Sequence, residues 1–401
     1  MPRIRLSAVA VLILVLAAVP ACGTSSEQSS DEPRLDPDSS GGAASQTTLE
    51  QQESPPAEDS TPEDPGASAE RGPVEVQTSV LATNLEAPWD VAFLPDGNAL
   101  LTERDSGRVL SVSPSGETEE VQTLPADGSG EGGLLGLALS PDYENDGLVY
   151  AYYTTAEDNR VARFRLGEEP EPILTGIPVN TYHNGGRISF GPDGMLYVGT
   201  GDAGNTASSQ DPNALGGKIL RINPDGSAPA DNPFPDNPVY SYGHRNVQGL
   251  AWDAEGRFYA TEFGQNTYDE VNLIEPGQNY GWPDVEGEGG EAQGYVDPIS
   301  TWATSEASPS GAAVLTAGGI PQWQGDFFMA ALRGERLWRL DLDQNGGVAG
   351  REELLTGQAG RLRHVAQAPD GSLWILTNNR DGRGSPIPDD DRILRLAPAE
   401  G

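Results

Sequence analysis

Residues 188–204 read ISFGPDGMLYVGTGDAG. Apolar side chains alternate on either side of Pro192-Asp193-Gly194. Alternation with period two puts successive side chains on opposite faces of a strand. Pro presets one turn dihedral and Gly accepts the next, so Pro-Asp-Gly reverses the chain into an antiparallel neighbour. A third run, KILRINPDG, begins at Lys218. The same grammar recurs along the chain. Val91 begins VAFLPDGNALLTERDSGRVLSV, and Leu137 begins LALSPDYENDGLVYAYYTT with VARFRL from Val161. Leu250 begins LAWDAEGRFYATEFG, Gly325 begins GDFFMAALRGERLWRLDLDQNGG, and Val365 begins VAQAPDGSLWILTNN with RILRLAP from Arg392. Short strands repeating at roughly 40–60 residues are the pattern of propeller blades. Six copies predict an all-β, six-bladed β-propeller of four-stranded antiparallel blades. A pair of sandwiched sheets is the alternative, and it does not explain repetition at this period. Either VEVQTSVLATNL, before Val91, or the tail after Arg392 is expected to supply the strand that closes the ring. No long segment carries helical periodicity.

The first residues bear on the compartment. Arg3 and Arg5 precede an apolar run from Leu6 to Val19, followed by Val19-Pro20-Ala21-Cys22. This reads as a signal peptide with a lipobox over residues 1–22, in which Cys22 is lipidated. The alternative is ordinary signal cleavage beside an incidental Cys. Cys22 is the single cysteine, so no disulfide framework is expected. Residues 23–73 are rich in Ser, Glu, Asp, Pro and Gly and nearly lack apolar side chains. They are expected to form a disordered acidic tether. Residues 74–401 then form the propeller domain, exported and held at the extracellular face of the cell membrane through the lipid anchor alone. The formal net charge of −37 argues against nucleic acid, which needs a basic face.

Polar residues that interrupt the repeat grammar are the candidates for chemistry. His183 lies in Thr-Tyr-His-Asn-Gly-Gly-Arg, where two glycines allow close approach of a ligand. An imidazole can accept a proton near neutral pH. Asp202, between Gly201 and Ala203, either makes a turn or orients a His. Arg245 and Asn246 offer a guanidinium fork and an amide. Arg361 and Arg363 share one face at period two and resemble an anion clamp more than a solvated pair. Glu262 to Asn266, with Asp269 and Glu270, offer hard oxygen ligands suited to Ca²⁺.

Four phrases together are specific. Gly130-Glu131-Gly132-Gly133-Leu134-Leu135-Gly136-Leu137, the stretch from His183 to Asp202, Gly243-His244-Arg245-Asn246-Val247-Gln248-Gly249-Leu250, and Asn279-Tyr280-Gly281-Trp282-Pro283 occur in this order. They resemble the soluble glucose and aldose sugar dehydrogenases that depend on pyrroloquinoline quinone (PQQ), over about residues 76–398. The resemblance implies His183 as general base, with Asp202 as an acid beside it. It implies Arg245, Asn246, Arg361, Arg363, Trp302, Thr304, Glu131 and Arg333 at the quinone. It implies the carbonyls of Gly264 and Gln265 as ligands of a cofactor-bound Ca²⁺, and Glu270 with the Tyr280 carbonyl at a second Ca²⁺. Three residues depart from the glucose enzymes. Tyr182 replaces an Asp next to the base, Glu131 stands near a Gln position, and Arg333 replaces a Lys. The first implies that the residue next to the base in sequence does not raise the imidazole's basicity as an Asp would.

The expected activity is therefore PQQ- and Ca²⁺-dependent oxidation of an aldose at the anomeric carbon to the lactone. The partners implied are a small sugar and an electron acceptor that the sequence does not name. A cofactor-free propeller that binds glycan or protein at the cell surface is the alternative. A Ca²⁺-dependent lactone hydrolase would need several carboxylates meeting at the axis, which the Gly264-Gln265 pattern does not suggest.

Overall fold

The structure is a computed structural model and describes residues 74–399. The signal segment, Cys22 and the acidic stretch 23–73 lie outside the described residues. Six four-stranded antiparallel sheets form the blades. They span residues 88–123, 134–177, 188–242, 247–303 and 309–354, and the sixth joins 362–398 to Val76–Ala82. The chain runs outward through each blade. First strands of neighbouring blades touch one another around the axis. Helix is confined to single turns such as Tyr143–Asp146 and Thr206–Gln210.

Closure uses the N-terminal strand. Val76 pairs with Pro398 and Val80 with Leu394, so Val76–Ala82 becomes the outer strand of the sixth blade. The tail after Arg392 forms the third strand of that blade. The first and last strands of the domain are thereby locked together, which closes the ring.

One repeat is out of register with the sequence expectation. Gly325 opens no blade; Phe327–Ala331 is the second strand of the fifth blade, and Pro309–Val314 is the first. That inner strand, PSGAAV, is built of small residues and lacks the Pro-Asp-Gly turn. Its smallness is required at the axis. A Cβ on Gly311 would lie 1.8 Å from Nδ1 of His364.

The core lies between blades. Tyr150, Tyr152, Ile188, Leu196 and Val198 fill the space between the second and third. Phe328, Leu337, Val365, Leu373 and Ile375 fill that between the fifth and sixth. Each fully buried Leu, Val or Phe contributes about 1.5–3 kcal/mol, so every blade is held by both neighbours.

The innermost strands carry the feature that matters for function. Five of the six have a register shift near their start, in blades one, two, four, five and six. In blades one, four and six the extra residue is Trp89, Gln248 and Arg363. A bulge re-aims a side chain that strict alternation would send elsewhere.

Candidate active site

Each blade runs outward from the axis and reverses at every turn. The start of its first strand and the end of its second strand therefore lie at the same end of the propeller. The segments at those positions enclose a cavity of about 310 Å³. Trp89, Glu131, Asn184, Gly185, Gln248, Ser308, Arg361 and Arg363 come from first-strand starts. Arg104, Phe263, Leu332, Arg333 and Arg383 come from the segments that follow second strands.

His183 stands beside this cavity, next to Asn184. Its φ of +57° is unusual for a side chain with a Cβ. The conformation is held by the backbone of Gly201, where a Cβ would lie 1.8 Å from the His183 carbonyl. Nδ1 of His183 is 2.7 Å from Oδ1 of Asp202. Gly204 donates its backbone N–H to the same oxygen at 2.7 Å, and Trp282 donates its indole N–H to Oδ2 at 2.9 Å. Burial alone would raise the Asp202 carboxyl. The hydrogen bonds from His183, Gly204 and Trp282 outweigh that and hold it below the usual value. An ionised carboxylate only accepts, so Nδ1 carries the proton and Nε2 presents its lone pair. Asp202 thus stands beside the base where the resemblance implied an acid, and it supplies the imidazole with a carboxylate although Tyr182 does not. The Tyr182 ring is half exposed and meets His183 edge-on, with centroids 4.6 Å apart. Glu131 accepts the His183 backbone N–H at 3.0 Å and pairs with Arg383 at 2.8 Å.

Five arginines line the cavity. Arg361 forks onto Asp381 at 2.8 and 3.0 Å. Arg363 donates to Gln248 Oε1 at 3.1 Å and to Ser310 Oγ at 3.2 Å, both neutral partners. Burial, then the charge of Arg104, pushes Arg363 down to about 9. Arg104 pairs with Asp105 and Arg383 with Glu131, while Arg333 is exposed. Positive charge in excess of its carboxylate partners, in a protein of net charge −37, marks a site for an anion with several oxygens. The Trp89 ring, within 4.0 Å of Arg187 and 5.8 Å of Arg363, offers an aromatic face in the same cavity.

Arg245 and Asn246 are not among the lining residues. Asn246 Oδ1 accepts the Gly185 N–H at 2.9 Å, so it fixes the glycine beside His183. Arg245 reaches Phe263 O at 3.2 Å and lies 5.4 Å from the Trp282 ring, and its buried Nε has no partner.

The calcium candidates fall in the fourth blade. Gly264 and Gln265 follow Phe263, which lines the cavity, so their loop borders it. Gly264 N–H donates to Asp269 at 3.0 Å. The N–H groups of Gln265, Asn266, Thr267 and Tyr268 converge on Glu286 Oε1 at 2.7–3.1 Å. Glu270 faces Glu262 across the strand pair. Burial first, then Glu262, pushes its carboxyl up to about 8. Next to it, Asn272 donates to Glu270 at 3.2 Å while its own Oδ1 is buried without a partner. Oxygen atoms short of positive charge suit a hard cation. Tyr280 stacks on His244, which bonds Glu262 at 2.8 Å. Among the described residues no three His, Cys, Asp or Glu side chains converge on a metal position, so carbonyl oxygens would have to complete any Ca²⁺ shell.

Trp302 and Thr304, like Arg245 and Asn246, are not among the residues that line the cavity. Trp302 lies on the outermost strand of the fourth blade, Ser300–Ala303, and is 3% exposed. It packs on Trp338, with ring centroids 5.6 Å apart. Thr304 follows in the turn. An outer strand is the farthest part of a blade from the axis, and Trp302 on it packs towards the fifth blade. The aromatic lining is Trp89 instead. Trp89, Arg104, Gln248 and Arg383 had no assigned role from the sequence. Arg104 could have been found by position, since it follows its second strand as Arg333 does. Trp89 and Gln248 could not, because bulges decide where they point.

Fold and cavity define a class, propeller oxidoreductases with a cationic axial cavity beside an oriented histidine. This chain belongs to the glucose/sorbosone dehydrogenase family, whose model matches residues 85–394. It is 33% identical over 304 residues to quinoprotein glucose dehydrogenase B of Acinetobacter calcoaceticus, covering 63% of each chain. It is 29% identical to an aldose sugar dehydrogenase of Escherichia coli, over 77% of this chain and 92% of that one. The PQQ-bound aldose sugar dehydrogenase of Streptomyces coelicolor superposes with a TM-score of 0.75 at 50% identity, over 81% of this chain and 99% of that one.

Proposed function

We propose that this chain oxidises an aldose at its anomeric carbon to the lactone, with PQQ and Ca²⁺ bound at the cavity. The observation that carries the reading is the arginine-lined cavity beside His183, whose Nδ1 is engaged by Asp202. The PQQ-bound relative at 50% identity supports the choice of cofactor. PQQ, a tricarboxylate quinone, supplies the two-electron acceptor when bound, with Ca²⁺ as a Lewis acid beside it. Arg333, Arg361 and Arg363 would hold its carboxylates, with Arg104 and Arg383 framing the site and Trp89 against the ring. The carbonyls of Gly264 and Gln265 would ligate the cofactor-bound Ca²⁺. Glu270 and the Tyr280 carbonyl would take a second, structural one.

The protein's own contribution to the reaction is proton transfer and its orientation. Nε2 of His183 accepts the proton of the anomeric hydroxyl. Asp202 stabilises the imidazolium that results, and Trp282 keeps Asp202 in place. Tyr182, at the edge of the base, and Arg333, in place of a Lys, point to an aldose pocket different from that of a glucose-specific enzyme. Export and lipid anchoring at Cys22 belong to the same proposal and rest on residues 1–22; the mass of the mature N-terminal peptide tests them. The deciding experiment is titration of the apoprotein with PQQ and Ca²⁺, followed by dye reduction with a panel of aldoses. A quinone absorbance band and aldose-dependent dye reduction are expected. Failure to take up PQQ would overturn the proposal in favour of a cofactor-free binding propeller.

A further inference from the structure

Lys218 is the single lysine of the 401-residue chain; every other basic side chain apart from the three histidines is arginine. It is fully buried. Its Nζ donates to the backbone carbonyls of Ser208 at 2.6 Å, Gly216 at 2.7 Å, Ser209 at 3.1 Å and, at the limit, Gly217 at 3.4 Å. An ammonium is compact and tetrahedral and can satisfy carbonyls arriving from several directions. The planar guanidinium fork cannot. Burial pushes the Lys218 amine down to about 7; the carbonyls oppose that, since only the ammonium has three N–H donors for those of Ser208, Ser209 and Gly216. The residue choice is therefore explained by the carbonyl cage.

The cage closes the loop that follows Asp202. Ser208 and Ser209 belong to the helical turn Thr206–Gln210, and the Ser208 carbonyl also accepts the backbone N–H of Asp211 at 3.1 Å. Gly216 and Gly217 lead into the strand Lys218–Ile222. From this loop, contacts run to the base. Gly217 donates its N–H to Gly201 O at 2.9 Å, one residue before Asp202. Gln210 Nε2 donates to Trp282 O at 2.7 Å, and Trp282 donates to Asp202. Ser209 O accepts from Gly243, which precedes His244 and Arg245.

We propose that Lys218 is a positioning residue for the proton acceptor. Its ammonium holds the loop 203–217 in the form that sets Asp202 and Trp282, and through them His183. The proposal rests on the reading of His183 as the base.

Lys218→Met keeps the length and apolar stem and removes the charge. The expected result is a kcat lower by roughly 10–100-fold, the scale of a small misplacement of a catalytic group, with PQQ affinity and aldose KM near the parent's. Lys218→Ala leaves an empty carbonyl cage, and added propylammonium should recover part of kcat where propanol does not. Parent-like kcat in Lys218→Met, or equal recovery by propanol, overturns the positioning role. If His183→Gln is as fast as the parent, the base reading has failed instead, and the two failures are distinguishable. Should neither Lys218 variant fold, ¹⁵N-lysine labelling of the parent decides. One ammonium resonance with slowly exchanging protons is expected, and fast exchange with solvent overturns the cage.

Discussion

Asp202 accepts the Nδ1–H of His183 at 2.7 Å from a position nineteen residues further along the chain. The same carboxylate holds the indole N–H of Trp282 at 2.9 Å. With both oxygens engaged, the imidazole has one orientation and one tautomer, and Nε2 is the atom left for chemistry. Three loops of two blades must be in register for this to occur.

Removing the base or its orienting acid should act on turnover and not on the cofactor. His183→Gln is expected to lower kcat by roughly 10²–10⁴-fold, the usual contribution of a positioned general base. Asp202→Asn offers an amide that can donate to Nδ1 and so favours the wrong tautomer; a comparable loss is expected. PQQ titration of both variants should match the parent. A parent-like kcat in His183→Gln would place the base elsewhere, with Asp202 the next candidate.

The arginine pair should act on the cofactor. In Arg361→Ala/Arg363→Ala, two sets of charge-assisted bonds are lost, each worth about 1.5–3 kcal/mol. PQQ affinity should fall by at least about 100-fold. Isothermal titration measures this directly, and unchanged affinity would sink the anion-clamp reading.

Trp302 and Trp89 should separate by phenotype. Trp302→Ala removes a side chain buried against Trp338 and should cost about 3–5 kcal/mol of stability, leaving PQQ affinity intact. Trp89→Ala should weaken PQQ. Chemical denaturation and cofactor titration of the two variants give opposite patterns if the cavity is assigned correctly; the same pattern in both contradicts the placement.

Glu270 makes stability depend on pH. Its folded carboxyl is raised from 4.5 to about 8, so the folded state holds a proton that the unfolded chain has released. Stability from this group is present below about pH 4.5 and is lost as pH rises towards 8. Without Ca²⁺ the melting temperature should therefore decline over that interval, and Glu270→Gln should flatten the decline. Added Ca²⁺ should stabilise most at the alkaline end, where Glu270 is ionised. A Ca²⁺ effect independent of pH would argue against this residue as a ligand.

The blade count was legible because most blades repeat a tight turn after the inner strand, written as Pro-Asp-Gly in the first, third and sixth. The fifth blade was misplaced because its inner strand is Ala and Gly, with neither the apolar alternation nor the turn. The grouping of His183, Asp202, Arg361, Arg363 and Glu131 around one end was legible from motifs that resemble a known family. Where Trp302 and Thr304 fall was not legible, because the pairing of Ser300–Ala303 as an outer strand is a non-local contact.

The chain's local pattern settled the number of blades and the strands of all but the fifth, since dihedral preference and period-two burial are local. The tertiary structure decided what faces what. Bulges at the starts of inner strands turned Trp89, Gln248 and Arg363 towards the cavity, and the expected acid Asp202 was set 2.7 Å from Nδ1 of His183. Bulge direction and inter-blade contact depend on how neighbouring strands pack around the axis. Nothing within seven or eight residues of chain encodes them.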